Sequence, residues 1–478
     1  MDSEVHFNHT LFRDKANFDS TTFNGNANFK NAEFKDNAYF SDVIFCQYAD
    51  FRKTEFEGDA YFWNVDFNGT AHTVDNNSNL YGNTEIVILL IDGNIRDTCS
   101  NVDVDFSGAY FKRDAMFWNA YFNGTVNFKD VVFGGYADFF GTDFNTSAYF
   151  SNSSFDNNAE FENSTFQWTA DYQDANFKHY AWFSNTDFNG TAMFEDASFN
   201  STAWFQEANF RGNASFIDTI FNNGASFRGS RFNIADFSAA QFNEATQFDD
   251  SEFNGEASFN GSRFKGDALF EDATFRRELA LTKTRYEKLF IRWNNIEGGL
   301  VYDDTAYLSL MKNFKDLGYY EDYDSCYFQY RRAHRDQPWP AVGGLEQFVR
   351  KKFIDYPLEW FYGYGTKPFN AALFSLGIVL IFAAFWWHIG LGGPKDRTLA
   401  ILQPGEEWLD GHITDFLAFS ATVFLSGTRL FIDPPPLPRI EGRSRSIIKK
   451  AFILERVLGA LFSVLFFIAI SGTIARAS

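Results

Sequence analysis

Large apolar residues recur along the first 275 residues of the chain at alternating spacings of five and six residues. The series runs from Phe7 to Phe67 and, after a gap, from Phe106 to Phe275. It occupies 44 positions, and Tyr172 is the single one that is not phenylalanine. A period kept over so long a stretch is typical of a stacked repeat array rather than of an ordinary globular domain.

A small or β-branched residue precedes most of these phenylalanines by two positions, as Ala16, Ala27 and Val43 do. The residue in between is usually polar, and this alternation is the period of an extended segment. Polar or glycine-containing corners such as Asn24-Gly25 follow each segment. Because neither five nor six residues match the 3.6-residue turn of a helix, the pattern predicts a mainly β fold, a solenoid of short strands.

The Ala-x-Phe triplets, such as Ala27-Asn28-Phe29, resemble the pentapeptide-repeat family, whose signature is Ala-(Asp/Asn)-(Leu/Phe)-x-x. The resemblance covers residues 7–67 and 102–275 and implies a right-handed quadrilateral β-helix with four repeats per coil. It also implies that the phenylalanine and the small residue both point into the core. The chain departs from the family by a sixth residue at every second step, which we place at a corner because the triplets stay intact. A coil then takes 22 residues, and 44 positions make about 11 coils.

Residues 68–105 interrupt the array within this predicted repeat domain of residues 1–275. The segment is rich in Asn and Gly, then holds an apolar run at 86–91 and Cys99. We expect it to be extruded between coils. Two interpretations stay open, a binding loop on a rigid scaffold or a decoration without a binding role.

Residues 276–340 are expected to form a cap and a helical hairpin. The segment Leu279–Asn295 has the features of a last coil. Helical signals follow at Asp303–Gly318 and at Glu321–Arg335, with acidic residues first and a glycine at the end of the former. Such a hairpin would cover the open end of a β-helix.

Residues 341–368 combine basic and aromatic side chains just before an apolar stretch. Arg350, Lys351 and Lys352 lie close to Phe353 and Trp360. This composition is typical of a segment lying at a membrane interface.

Residues 369–478 are predicted to form an α-helical membrane region with two spans, 369–391 and 453–475. The first contains no charged residue apart from His388, and the second is uncharged from Val457 to Ala475. Each is long enough to cross a hydrocarbon core of about 30 Å. We therefore expect a multi-pass protein of the cell membrane, with membrane lipids among its partners. The shorter apolar stretch 413–429 is a candidate re-entrant segment.

The order of helix, half-helix and helix resembles the two-transmembrane potassium-channel pore module. Leu417-Ala418-Phe419-Ser420 resembles the start of its pore helix, and the stretch from Glu455 to Gly459 resembles part of its second membrane helix. The resemblance implies an ion-channel-like pore formed by a homo-oligomer, a tetramer in that family. The candidate pore-lining residues are Thr422, Ser426, Gly427, Thr428 and Arg429.

Potassium selectivity is not expected of this module. The selectivity strand Thr-Val-Gly-Tyr-Gly supplies carbonyls that replace water around the ion. Here Gly427 alone corresponds to it, and the cationic Arg429 follows at once. The alternative is a membrane anchor with an interfacial loop.

The net charge of −21 resides in the repeat region. Acidic residues of 1–275 outnumber basic ones by more than two to one, whereas the rest of the chain is slightly basic. Sequence-independent nucleic-acid binding needs Lys and Arg to neutralise phosphates, so no nucleic-acid partner is expected. A protein partner on the acidic β-helix is possible.

Catalytic and metal-binding patterns are missing from the sequence. Cys46, Cys99 and Cys326 lie far apart, and the seven histidines form no ligand-spaced cluster. No nucleophile–base pair or phosphate loop stands out, so neither an enzyme nor a cofactor is expected.

Two functions follow as hypotheses: a pore-forming membrane protein with a large repeat domain, or a membrane-anchored interaction scaffold. The side of the membrane on which the repeats lie stays open. No N-terminal signal sequence is visible, which favours the cytoplasm, yet Asn-x-Ser/Thr sequons crowd the repeat region. Basic residues flank both sides of the spans, seven in 331–367 and eight in 392–450.

Overall fold

A computed structural model describes residues 4–67, 102–337, 344–391, 413–428, 432–435 and 445–477. The chain divides into two compact units, residues 1–309 and 310–478. The first unit contains the strands, and the second contains most of the helices.

Forty-five strands form the first unit, and all but two of them are two residues long. The strands before the insertion are β1 (Val5–His6), β2 (Leu11–Phe12), β3 (Ala16–Asn17), β4 (Thr22–Phe23), β5 (Ala27–Asn28), β6 (Glu33–Phe34), β7 (Ala38–Tyr39), β8 (Ile44–Phe45), β9 (Ala49–Asp50), β10 (Glu55–Phe56), β11 (Ala60–Tyr61) and β12 (Asp66–Phe67). The strands after it are β13 (Val104–Asp105), β14 (Tyr110–Phe111), β15 (Ala115–Met116), β16 (Tyr121–Phe122), β17 (Val126–Asn127), β18 (Val132–Phe133), β19 (Ala137–Asp138), β20 (Asp143–Phe144), β21 (Ala148–Tyr149), β22 (Ser154–Phe155), β23 (Ala159–Glu160), β24 (Thr165–Phe166), β25 (Ala170–Asp171), β26 (Asn176–Phe177), β27 (Ala181–Trp182), β28 (Asp187–Phe188), β29 (Ala192–Met193), β30 (Ser198–Phe199), β31 (Ala203–Trp204), β32 (Asn209–Ser215), β33 (Ile220–Phe221), β34 (Ala225–Ser226), β35 (Arg231–Asp236), β36 (Gln241–Phe242), β37 (Thr246–Gln247), β38 (Glu252–Phe253), β39 (Ala257–Ser258), β40 (Arg263–Phe264), β41 (Ala268–Leu269), β42 (Thr274–Phe275), β43 (Leu279–Ala280), β44 (Arg285–Tyr286) and β45 (Leu289–Phe290).

These strands build a parallel β-solenoid of about 11 turns, as the sequence predicts. Up to β28 each strand pairs in parallel with the fourth strand along the chain, so that β1 pairs with β5 and β2 with β6. The pairing makes four faces, which we number 1 to 4 after β1, β2, β3 and β4. Cα partners such as Val5 and Ala27 lie 22 residues apart, and the predicted length of a turn is thereby confirmed.

The corners explain the alternating step. The five-residue step from Phe29 to Phe34 shows one kind of corner. The carbonyl oxygen of Phe29 accepts a hydrogen bond from the amide of Ala32 at 2.9 Å, and Asn31, which lies between these two residues, has φ 55°. A positive φ at the third residue is the mark of a type II turn, and Asn or Gly adopts it at least cost. The six-residue steps make the other two corners, so the extra residue lies at a corner as predicted. There Gly58 lies so close to the previous turn that a Cβ would stand 2.5 Å from the backbone nitrogen of Asn37.

Phenylalanine columns fill the interior. Rings one turn apart stack in parallel, as Phe40 and Phe62 do at 4.8 Å with 1° between their planes. Rings of adjacent columns meet edge to face, as Phe40 and Phe51 do at 5.6 Å and 86°. Both are favourable aromatic geometries. The inward small position admits a hydroxyl where a carbonyl can accept from it, and Thr142 Oγ1 donates to the Phe117 carbonyl at 2.8 Å.

The array accommodates two irregularities. Between Phe232 and Phe237 the step is five residues where the alternation requires six, and strand partners on either side of this step lie 21 residues apart, as Arg231 and Glu252 do. The strict alternation expected from the sequence is therefore broken once, where β32 and β35 run through the corner and serve both face 4 and face 1.

The second irregularity is the insertion. Residues 68–101, with the apolar run and Cys99, lie outside the described part of the chain. Strand β13 already pairs with β9, so residues 104–105 belong to the array although the sequence places them in the interruption. Phe67 lies beside Phe122, 55 residues on, in an otherwise regular register.

The strands continue past Phe275 through β45, and helix α1 (Trp293–Ile296) follows with Trp293 and Ile296 buried. Helix α2 (Asp304–Asp316) is preceded by Asp303, whose Oδ1 accepts a hydrogen bond from the Ala306 amide at 2.9 Å. The remaining helices are α3 (Tyr320–Asp336), α4 (Gly344–Arg350), a π-helical turn (Lys351–Asp355), α5 (Tyr356–Tyr362), a 3₁₀ turn (Gly363–Gly365), α6 (Pro368–Leu391), α7 (Ile413–Leu425) and α8 (Arg445–Ala477).

Candidate functional site between the apolar helices

Helices α6, α7 and α8 pack against one another in the second unit. Their shared core is apolar and aromatic, and consists of Ala383, Trp386, Phe416, Phe419, Val423, Ile448 and Phe452. Trp386 and Phe419 meet edge to face at 5.6 Å. Helix α7 is short and lies in contact with both of its long neighbours.

Large apolar side chains also cover the outside of this helical unit. Helices α6 and α8 are long and apolar enough to cross a membrane over Pro368–Ile389 and Arg445–Ser471. Only 17% and 22% of the residues in their most apolar windows are buried. The exposed apolar residues include Leu373, Leu376, Leu380, Ile381, Val457, Leu461, Val464 and Ile468.

Polar groups lie inside the unit. Glu455 of α8 is fully buried, and its Oε2 accepts a hydrogen bond from Nε1 of Trp386 on α6 at 2.9 Å. Its Oε1 is hydrogen-bonded to the hydroxyl of Ser420 on α7. The same hydroxyl lies 2.9 Å from the carbonyl oxygen of Val379 on α6. One carboxyl group thus links all three helices.

The number of protons available for hydrogen bonding in this cluster bears on the protonation state of Glu455. A serine hydroxyl has one proton to donate, and a backbone carbonyl can only accept. If Ser420 donates to Val379, its contact with Glu455 requires that the carboxyl supply the proton. The arrangement therefore favours a neutral Glu455, which also avoids the cost of burying an unpaired charge.

A close helix crossing lies one turn away from the cluster. A Cβ on Gly459 of α8 would stand 1.9 Å from the carbonyl oxygen of Phe424. A Cβ on Gly427 would stand 2.3 Å from the carbonyl oxygen of Arg456. Both positions require glycine because backbone meets backbone there.

The five candidate pore-lining residues lie in different environments. Thr422 is part-exposed on α7, and its hydroxyl donates to the Ala418 carbonyl at 2.7 Å. Ser426 is buried and donates to the Val423 carbonyl at 2.7 Å. Gly427 packs on α8, Thr428 is half-buried beside it, and Arg429 lies outside the described residues. Of the described candidates, Gly427 therefore faces helix α8, and the buried Ser426 is bonded back to α7.

Sequence reasoning did not identify the buried carboxyl as a site. It placed Glu455 in the second span, 453–475, within the stretch that resembles a channel helix, and assigned it no polar role. An acidic residue within an apolar helix is itself a signal for an interior polar site, since such residues face the bundle interior.

A second polar cluster joins α3 to the segment before α6. The guanidinium of Arg335 is 5% exposed, pairs with Glu359 and lies 4.2 Å from the ring centre of Tyr356. The ammonium of Lys351, 2.5 Å from Asp336, holds the pKa of that carboxyl below its ordinary value. These contacts fix the segment that the sequence assigns to a membrane interface.

The comparison with known proteins concerns the first unit. A family model described as pentapeptide repeats (9 copies) matches residues 7–54, 172–220, 194–241, 205–251 and 237–285. The matched parts of the solenoid are pentapeptide repeats. The matched segments lie within the strands described above, and the helical unit is outside them. Comparison with curated proteins and with solved structures finds no match. Among the residues that the structure describes, no three His, Cys, Asp or Glu side chains could hold one metal ion.

Proposed function

We propose that this protein is an integral membrane scaffold whose acidic pentapeptide-repeat solenoid binds a protein partner. Helices α6 and α8 cross the bilayer and hold the solenoid at its surface. The proposal rests on one observation: the helical unit exposes large apolar side chains and buries a carboxyl group.

A water-soluble helix bundle buries its apolar side chains and keeps carboxyl groups in solvent. In this helical unit apolar side chains cover the outside as well as fill the core, and a carboxyl group is buried. Leu376, Ile381 and Val457 are each more than half exposed, whereas Glu455 and Ser420 are fully buried. Lipid is the solvent in which this distribution is stable, because apolar residues then face hydrocarbon and polar ones pair inside.

The segment before α6 supports the same placement. Phe353 and Trp360 are 72% and 73% exposed, next to Lys351 and Lys352. Aromatic and basic side chains exposed together at the end of a span are typical of the interface between headgroups and water.

The scaffold part of the proposal rests on the solenoid. Pentapeptide-repeat solenoids are in general structural or interaction proteins. Its flat faces carry acidic and polar side chains on a core of stacked rings, a rigid surface of the kind that binding proteins use.

Membrane insertion is tested on the full chain by washing membranes with alkaline carbonate. We expect the protein to stay in the membrane pellet and to leave it only with detergent. Release by carbonate alone would contradict the proposal. Protease digestion of the solenoid in intact cells, compared with lysed cells, then assigns the side on which it lies.

The scaffold role is tested in cells with photo-cross-linking residues introduced at outward positions of each solenoid face in turn. Cross-links from one face to a protein other than this chain support the role. If none of the four faces gives such a product while the protein remains in the membrane, the proposed membrane insertion is retained and the proposed scaffold role is rejected.

An ion-conducting pore is the second candidate function. It is favoured by α7, whose 13 residues reach about 20 Å and stop short of a full crossing. It is also favoured by part-exposed Thr422, whose surface is available to other copies. The candidate requires a homo-oligomer, and native mass spectrometry in detergent together with bilayer conductance decides it. A tetramer whose conductance changes in Thr422→Val supports the pore, and a non-conducting monomer supports the anchor.

A further inference from the structure

Face 3 of the solenoid has a composition that the other faces lack. Each of its strands presents three outward positions: the residue before the inward small residue, the residue after it, and the residue after the inward phenylalanine. Over the seven strands from β7 to β31 these 21 positions hold nine aromatic residues and one methionine: Tyr39, Tyr61, Trp63, Met116, Trp118, Tyr136, Phe140, Tyr180, Trp182 and Trp204. The corresponding positions of the other three described faces hold four tyrosines and one methionine: Tyr48, Tyr110, Tyr121, Tyr149 and Met193.

The aromatic side chains of face 3 are ordered by their neighbours. Tyr39 and Tyr61 stack at 4.9 Å with 10° between their planes. Trp182 and Trp204 stack at 5.3 Å with 5° between their planes. Trp118 is 42% exposed. The result is a rigid apolar surface, which loses little conformational entropy when a partner covers it.

Face 3 is also negatively charged in the part of this stretch from β11 to β23. The same 21 positions contain five carboxylates, Asp59, Asp114, Asp138, Glu160 and Glu162, and no Lys, Arg or His.

Partial burial disfavours the charged form of two of these carboxylates, Asp138 and Glu162. Burial raises the pKa of the Asp138 carboxyl, and the charge of Glu160 adds to the rise. Burial likewise raises the pKa of Glu162, with Glu160 as the next contribution. A cation bound at this face would relieve both effects.

We propose that face 3 is the docking surface for a Lys- and Arg-rich segment of a partner protein, an inference that rests on the scaffold function proposed above. Guanidinium and ammonium groups bond to the carboxylates, while their aliphatic stems lie along the ring edges. Tyr, Trp and Met are residues that protein interfaces favour. Seven turns at about 4.8 Å give a length of roughly 34 Å, enough for about ten extended residues of the partner.

The test uses the full-length protein in detergent micelles. The probe is a fluorescein-labelled 12-residue peptide of alternating Arg and Ser, read by fluorescence anisotropy, with a Glu–Ser peptide as the negative probe. We expect the Arg–Ser peptide to bind and the Glu–Ser peptide not to bind. A failure of the Arg–Ser peptide to bind overturns the inference.

A matched pair of triple variants separates this face from overall charge. The face 3 variant carries Asp114→Asn, Asp138→Asn and Glu160→Gln. The control, on face 1, carries Asp103→Asn, Asp236→Asn and Glu256→Gln. Both remove three negative charges, and the amides keep the acceptors of the backbone hydrogen bonds: Asp114 and Asp103 each bond an amide 22 residues on, and Asp138 and Asp236 each bond the amide two residues on.

We expect the face 3 variant to weaken peptide binding by about tenfold, ~1.4 kcal/mol, and the control by less than about twofold. Equal weakening in both variants would mean that the peptide responds to net charge alone, and an unchanged affinity would place the site elsewhere; either result overturns the inference. Circular dichroism of both variants confirms that the solenoid is intact.

The aromatic part of the surface is tested in the same assay. Trp63→Ser with Trp118→Ser should weaken binding by about fivefold, whereas Trp168→Ser, a 66% exposed tryptophan at a corner, should not. Loss of self-association in the face 3 variant without loss of peptide binding would make a second copy of this chain the occupant and overturn the inference. Since membrane retention is measured separately, a negative peptide result leaves the membrane proposal standing.

Discussion

Tyr172 is the one position of the inward aromatic series that is not phenylalanine. Its ring stacks between Phe150 at 4.8 Å and Phe194 at 4.9 Å, like any phenylalanine of the column. Its hydroxyl is fully buried and has no hydrogen-bond partner among the described residues. Burying a hydroxyl without a partner costs free energy, and that cost sits inside an otherwise apolar column.

Removing that hydroxyl should stabilise the solenoid. We expect Tyr172→Phe to raise the free energy of unfolding by about 1–3 kcal/mol, because the ring stays and the unsatisfied group goes. The thermal midpoint of the β signal in circular dichroism measures the change. Tyr110→Phe is the control, since Tyr110 is 41% exposed and its hydroxyl reaches solvent. A midpoint that falls in Tyr172→Phe would mean that the hydroxyl has a bound partner in solution.

Glu455 is the buried polar residue on which the helical unit depends. A neutral carboxyl accepts from Trp386 through one oxygen and donates to Ser420 through the other. A glutamine side chain has the same capacity, with its carbonyl as acceptor and its amide as donor. We therefore expect Glu455→Gln to keep the thermal midpoint of the detergent-solubilised protein within a few degrees of the parent.

Glu455→Leu is the matched comparison, because leucine has a similar size and no polar atom. It leaves the indole N–H of Trp386 without its partner, which costs about 1–3 kcal/mol, whereas Ser420 keeps the Val379 carbonyl. The midpoint should fall, and tryptophan fluorescence should report the changed surroundings of Trp386. Equal losses in the two variants would indicate that Glu455 is ionised and that glutamine cannot replace it.

At the scale of elements, the crossing of α7 and α8 depends on two glycines. Gly427 and Gly459 let the helix end and the facing helix approach backbone to backbone. Small residues at such contacts are the general means by which helices in lipid pack closely. Small residues also follow the pore helix in a channel module, so the sequence around Gly427 fits both arrangements and does not separate them.

A single methyl group tests the crossing. Gly459→Ala places a Cβ on the Phe424 carbonyl, and we expect α7 to shift away from α8 and the thermal midpoint of the helical signal to fall. Gly377→Ala in α6 is the control, because a Cβ there meets nothing within 4 Å. The control should leave stability unchanged or raise it slightly, since alanine favours a helix by about 1 kcal/mol over glycine. Identical midpoints in both variants would refute the close crossing.

At the scale of the whole molecule, the two units differ in how far their sequences determine them. In the solenoid every turn contacts its neighbours through the same positions, so a period in the sequence is a period in space. The spacing of phenylalanines from Phe7 to Phe275 therefore predicted the strands, the 22-residue turn and the corners. That spacing already contains the five-residue step after Phe232, but it does not show that the strands there run through a corner or that the register falls from 22 to 21 residues.

The helical unit shows the opposite case. The lengths and apolar character of α6 and α8 follow from composition. The Glu455 cluster depends on Ser420, 35 residues away, and on Trp386, 69 residues away. No local pattern relates these positions, because they meet through tertiary packing. The composition of face 3 was equally hidden, since neighbouring residues of that face belong to different turns.

The pairing of strands across the insertion shows how many residues the insertion adds to one turn. Across it, partners such as Glu55 and Tyr110 lie 55 residues apart, whereas a turn elsewhere takes 22, so the insertion adds 33 residues. Phe67 and Phe106 are separated by 39 residues, which is the same 33 plus a normal step of six. The flanking strands β12 and β13 pair as members of a regular array.

Deleting residues 68–100 should therefore leave an uninterrupted solenoid. Asn101 to Asp105 would follow Phe67 directly and supply a six-residue step, with Val104 at the inward small position. We expect an unchanged β signal in circular dichroism and a thermal midpoint equal to or slightly above that of the parent, because closing a shorter loop costs less entropy. Deleting residues 68–101 is the control: it leaves a five-residue step at a corner where the alternation requires six, so the corner between β12 and β13 must close with one residue fewer. That variant should lose stability, and equal midpoints for the two deletions would show that the array does not depend on its register at this point.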